Sequence, residues 1–186
     1  MFETNKGKTP NIIHVSGDVY AIAYSGDKDD GYLKTVEITT TGDITEPVID
    51  TFEFETVKGK TPDIIHVSGN VYTIAYEGES GQVTTVEITT TGDITEPVID
   101  TFEFDTVMGK TPDIIHISGN VYTIAYSGES GHVTTVEITT TLARVVGGEV
   151  YPVNKLAIVM PWIGLAVALA LAGVFIARFA RRKVRG

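Results

Sequence analysis

The chain has 186 residues, 42% of them hydrophobic and none of them cysteine, which excludes disulfide frameworks, thiolate metal sites and cysteine nucleophiles. Its formal net charge of −10 hides a division: residues 1–155 hold nine Lys/Arg against 24 Asp/Glu, a net −15, whereas residues 156–186 hold five basic residues and no acid, a net +5. An acidic body argues against nucleic-acid binding, which needs an excess of phosphate-neutralising cations.

From the N-terminus the chain reads as three copies of one unit. TPNIIHVSGDVYAIAYSG begins at Thr9, TPDIIHVSGNVYTIAYEG at Thr61 and TPDIIHISGNVYTIAYSG at Thr111, at offsets of 52 and 50 residues. The two extra residues of the first copy lie in one loop, DKDDG against GESG. Residues 61–91 and 111–141 differ at only three positions. A self-similar period of this length sets the architecture before any local propensity does.

Each copy predicts four strands, in the second copy 63–69, 70–76, 82–91 and 97–106. All are rich in Val, Ile, Thr, Tyr and Phe and are punctuated by Gly, Asp, Asn and Pro. In 97–106, Phe102 and Phe104 share one face and Glu103 and Asp105 the other. In 70–76, Tyr72, Ile74 and Tyr76 oppose Val71, Thr73 and Ala75, so both faces are largely apolar, as in a strand held between two layers. No helical period occurs before residue 155.

The expected fold is an all-β repeat domain over residues 1–141. It comprises three four-stranded antiparallel, blade-like units (about 1–56, 57–106 and 107–141) in a partial β-propeller or curved stack. After Thr141 the fourth-strand sequence gives way to LARVVGGEVYPV, so one strand of the ring is expected to be incomplete, and 142–155 reads as a linker. Three units are too few for a ring of ~4–8 blades. Further units upstream, a homodimer pooling three units from each chain, or an open stack with exposed edges would each resolve this. The open stack is expected for the chain as it stands.

Residues 156–177, LAIVMPWIGLAVALALAGVFIA, carry no charge over 22 residues, enough to cross a bilayer core as a helix. Tyr151 and Trp162 lie towards one end, where amphipathic rings favour the interface. Arg178, Arg181, Arg182 and Lys183 follow the other. Basic residues stay on the cytoplasmic side, so 178–186 reads as a cytoplasmic tail and residues 1–155 as outside, with the lipid bilayer as one partner. The segment after Met1 is polar and reads as no export signal, so either the protein begins upstream of Met1, the favoured expectation, or export uses the C-terminal helix alone.

The unit TPDIIHVSGNVYTIAY, the strand VIDTFEFET and the tail GGEVYPVNKLAIVMPWIGL are similar to membrane-anchored surface proteins of archaea and some bacteria with tandem β-propeller-like repeats. That resemblance implies a location and an architecture and no activity. No Trp-Asp dipeptide occurs, and Gly131-His132 and Gly147-Gly148 do not recur from copy to copy, as the Gly-His mark of WD repeats and the double glycine of kelch would.

Several repeated residues could carry chemistry. His14, His66 and His116 each precede a serine by two residues and share a strand face with it. The sharp reading is a nucleophile pair or three imidazoles on a metal; the default is a packing position copied with the repeat. Asp27, Asp29 and Asp30 in DKDDG alternate as calcium-ligating oxygens can, against a default of a solvated turn. Asp50 with Glu53, and Asp100 with Glu103, are candidate paired carboxylates for glycoside chemistry. Asp43 and Asp93 read as turn residues. Six matched tyrosines (20, 24, 72, 76, 122 and 126) read as packing between units, with a sugar-stacking surface as the alternative.

The sequence therefore reads as a membrane-anchored extracellular β-repeat protein without enzymatic activity or cofactor. It would bind a protein or glycan, act in adhesion, or serve as a spacer. The alternative is a fragment of a larger propeller enzyme or receptor whose N-terminal blades and signal peptide are missing.

Overall fold

The computed structural model describes residues 3, 6–107, 109–140 and 143–145. The apolar segment 156–177 and the interface residues Tyr151, Trp162, Arg178, Arg181, Arg182 and Lys183 lie outside the described residues. Among those described, no helix is long and apolar enough to cross a membrane.

Three four-stranded antiparallel sheets follow one another along the chain. The first is built of β1 (Lys8–Ser16), β2 (Val19–Ser25), β3 (Gly31–Ile38) and β4 (Ile44–Glu55). The second is built of β5 (Lys60–Ser68), β6 (Val71–Glu77), β7 (Gly81–Ile88) and β8 (Ile94–Asp105). In the third, β9 (Lys110–Ser118), β10 (Val121–Ser127) and β11 (Gly131–Ile138) are joined by β12 (Ala143–Val145). Each sheet is a meander in chain order. The predicted strands are all present but shifted: the first and fourth start three residues earlier, because Lys-Thr-Pro and Ile-Thr-Glu still pair across bulges with their neighbours.

The third sheet has the expected fourth strand in short form, three residues against twelve in the other two sheets, and it falls at the start of the stretch read as linker. Ala143, Arg144 and Val145 pair with Ile138, Glu137 and Val136, so Ala143 and Arg144 take the register places that Ile94 and Thr95 hold beside Ile88 and Glu87. The ladder selects for extended backbone rather than for the lost sequence, and the β-branched end of β11 supplies the template.

The sheets stack face to face, and the period-2 alternation gives each of them two unlike faces. One is large, and in the second sheet carries Ile64, Tyr72, Ile74, Tyr76, Val86, Ile88 and Ile94. The other, with Ala75 and Val83, is small. The small face of the first sheet (Ala21, Ala23, Leu33, Phe52, Phe54) fills the large face of the second. In the same way Ala75, Val83, Phe102 and Phe104 of the second fill the large face of the third, built on Ile114, Tyr122, Ile124, Tyr126, Val136 and Ile138. Burying an aliphatic or aromatic side chain of this size contributes about 1.5–3 kcal/mol, so these two seams dominate the stability of the array.

Identical sequence behaves differently by position. The six residues VYTIAY are buried throughout β6, between two sheets, but run from buried to exposed in alternation along β10, whose small face no sheet covers among the described residues. The expectation of a strand packed between layers holds where a layer is present on each side.

Two glycine pairs let consecutive sheets meet backbone to backbone. A Cβ on Gly59 would run into the Gly31 Cα, and one on Gly109 into the Gly81 Cα. Opposite Gly59, the Ser25 hydroxyl donates to its carbonyl at 2.8 Å and its N–H donates to the Asp29 carbonyl at 2.7 Å. Gly59→Ala is expected to cost about 1–3 kcal/mol through forced backbone separation. Gly17→Ala is expected to cost about 1–2 kcal/mol from its left-handed φ of 54° alone, since open space surrounds it. Urea unfolding of the full chain in detergent, followed by β-sheet circular dichroism, measures both. An unchanged midpoint for Gly59→Ala would show that the close approach is not needed.

Candidate functional site

The innermost strands β1, β5 and β9 line a cleft of about 360 Å³. Its wall repeats one tripeptide: Thr9-Pro10-Asn11, Thr61-Pro62-Asp63 and Thr111-Pro112-Asp113. The three threonines have φ of 45°, 46° and 46°, a left-handed conformation costly for a β-branched residue. Each lies in a register shift, between Lys8 and Asn11 in the first sheet and at the matching places in the others. Such a bulge re-aims the next side chains, here the prolines and the Asx residue.

The Asx positions link the sheets. The Asn11 amide donates to one Asp63 oxygen at 2.7 Å, and the other Asp63 oxygen accepts the Ile114 N–H at 2.8 Å. Asn11 in turn accepts the Ile64 N–H at 3.4 Å. In each of the first two copies one side chain thus binds the backbone of the next sheet. Burial pushes the Asp63 carboxyl above the usual carboxylate range, and the Asp113 charge pushes it the same way; the Ile114 N–H and Asn11 amide oppose them.

The histidines do not converge. Each donates from Nε2 to the glycine carbonyl of its own hairpin turn: His14 to Gly17 at 2.8 Å, His66 to Gly69 at 2.9 Å and His116 to Gly119 at 2.9 Å. Each also meets the cross-strand tyrosine, Tyr20, Tyr72 or Tyr122, with ring centroids 5.0–5.1 Å apart. All three are exposed, so the copied packing position is corrected to a turn lock on the outside of each sheet. The sequence signal was the spacing to the turn glycine, His-x-x-Gly.

The DKDDG carboxylates are taken up by lysines. Lys6 reaches Asp27 at 2.8 Å, while Lys8 and Lys60 reach the two oxygens of Asp29, each at 2.9 Å. The hydrogen bonds from Lys8 and Lys60 hold the Asp29 carboxyl down at about 2. Asp30 contributes its backbone carbonyl, which accepts the Gly26 N–H at 2.8 Å. A calcium ion would have to displace these ammonium groups. Among the described residues no three His, Asp or Glu side chains gather as a metal site.

Asp50, a candidate for paired-carboxylate chemistry, is an inter-sheet cap: its oxygens accept the Thr51 N–H at 2.7 Å and the Ile94 N–H of the second sheet at 2.8 Å. Asp100 accepts the Thr101 N–H at 3.0 Å. Asp43 and Asp93 close their turns on Thr41 and Thr91, each at 2.7 Å. Tyrosine burial answers the packing reading. Phe54 meets Tyr76 across the first seam at 5.2 Å and Phe104 meets Tyr126 across the second at 5.0 Å. The Tyr76 hydroxyl donates to Glu55 at 3.2 Å. Glu3 takes the same place for Tyr24, at 2.6 Å, and burial followed by this bond pushes the Tyr24 phenol up.

No family model matches the chain, and no curated protein matches it. Among solved structures it is similar to a Bacteroides fragilis protein described provisionally as a 6-phosphogluconolactonase. That match has 11% identity and a TM-score of 0.46, and covers 79% of this chain and 58% of the other. At that similarity it bears on no residue of this chain. The chain spans under two thirds of that protein's length.

Two outcomes are expected from these carboxylates. Asp63→Ala should cost about 1 kcal/mol by leaving the Ile114 N–H without its acceptor. Because the Asp63 carboxyl is raised in the folded state, ionising it opposes folding, so the natural chain should lose stability relative to Asp63→Asn as pH rises from about 4 to 7. Asp29 runs the other way. Its stabilising charge is fully present above the ordinary carboxylate value and is lost as pH falls towards about 2; Asp29→Asn should remove that part of the acid unfolding curve. Unfolding midpoints across pH test both, and parallel curves for variant and natural chain would contradict them.

Proposed function

We propose that the protein is a membrane-anchored extracellular binding or spacer module, with the β array outside and the basic tail 178–186 in the cytoplasm. The observation that carries the non-enzymatic reading is the use made of the repeated polar residues. The histidines lock turns, and Asp50 and Asp63 cap the next sheet. Those groups maintain the array, whereas a catalytic site needs a nucleophile or base aimed at open space. Asp29, on the outer loop, is occupied by two lysines.

A protein or glycan partner would meet equivalent Thr-Pro-Asx mouths in register. Several weak contacts of one kind then sum by effective concentration. The apolar stretch 156–177 and its basic flank support the anchored placement, and the similarity to repeat-bearing surface proteins agrees with it.

The absence of cysteine makes topology directly testable. Val107→Cys, at an exposed turn, should react with a membrane-impermeant maleimide on intact expressing cells. Arg182→Cys should react only after permeabilisation. Labelling of both only after permeabilisation, or of Arg182→Cys on intact cells, would refute the placement.

A further inference from the structure

The two ends of the array are complementary. The first sheet turns its large face outward, and there an apolar groove of about 250 Å³ is lined by Ile12, Ile22, Val36, Ile38, Ile44 and Val48. In the second sheet the same face is filled by the small face of the sheet before it. The exposures follow: Ile12 is 55% exposed, whereas its equivalents Ile64 and Ile114 are 5% and 3% exposed. Ile44 is likewise exposed and its equivalent Ile94 buried.

Among the described residues, no sheet packs on the other face of the third sheet. Val133 is 38% exposed, whereas Val83, its equivalent under the third sheet, is 0% exposed. Ile115 and Ile117 are exposed where Ile65 and Val67 of the second sheet pack against the third. The polar link is in place as well. Asp113 presents the carboxylate with which Asp63 takes the Ile114 N–H, and the Ile12 N–H stands at the matching place of the first sheet. Each end of the chain is therefore a copy of one half of a seam that the chain already forms twice.

We propose that a second copy of this chain occupies these faces, the third sheet of each chain packing on the first sheet of its partner. The contact is heterologous, and it closes when the sheets complete a ring. Four-stranded sheets of this kind close at ~4–8, and the only multiple of three in that range is six, so two chains close the ring through two identical seams. The inference rests on the array alone and stands whichever side of a membrane the array occupies.

The test is the mass of the full chain in detergent, by size exclusion with light scattering, against the single-chain 20.0 kDa. The natural chain should carry two copies. Ile12→Asp and Ile117→Asp alter opposite ends, and both side chains are exposed in the single chain, so each variant should retain its β circular dichroism. Each should weaken the dimer about tenfold or more, and Val107→Asp, away from both faces, should leave it unchanged. A single-copy natural chain overturns the proposal. So does a dimer weakened by only one of the two isoleucine variants, which would be a like-to-like contact, or by neither, which would place the contact outside the array.

Discussion

The structure depends on an asymmetry within one sheet. Alternation along β6 places Tyr72, Ile74 and Tyr76 on one side and Val71, Thr73 and Ala75 on the other, so every copy carries a convex set of side chains and a shallow one. Convex fits shallow, and two convex faces would leave voids that a close-packed interior does not tolerate. Stacking therefore has a direction, which a symmetric strand pattern would not impose. The Asx links, the Phe–Tyr contacts and the glycine approaches all point the same way along the stack.

Polar groups reinforce this direction more than they set it. Asp50 and Asp63 each accept a backbone N–H of the following sheet, removing the cost of burying that donor near the seam. Tyr76 reaches Glu55 and Tyr24 reaches Glu3 in the same sense. A carboxylate at such a place resembles a catalytic acid in sequence, because both are acidic residues flanked by β-branched neighbours. What separates them is the donor they face.

Most of the architecture was legible because repetition amplified weak signals. A single run such as DIIHVSGNVYTIAY is ambiguous between strand pair and loop, but three aligned runs with a fixed Ser-Gly-Asx turn are not. The bounds were less legible. Lys60–Pro62 and Ile94–Glu96 look like loop by composition, yet they pair across bulges, where register tolerates an irregular residue. Strand β12 was hidden because its pairing is a backbone property and ARV carries no repeat signature. The histidines were read by default as a copied packing position, which their contact with the cross-strand tyrosines matches in part; the polar partner that the reading missed was a carbonyl in the turn three residues on.

The second and third modules are nearly identical over residues 61–91 and 111–141 and part only afterwards, where LARVV replaces the strand that carries Phe102 and Phe104. The lengthened turn sets the first module apart from both. Asp29 grips Lys8 of its own sheet and Lys60 of the next, and the later modules carry the shorter GESG in its place. The insertion thus gives the first junction a charged clasp whose carboxylate the later copies do not repeat in sequence.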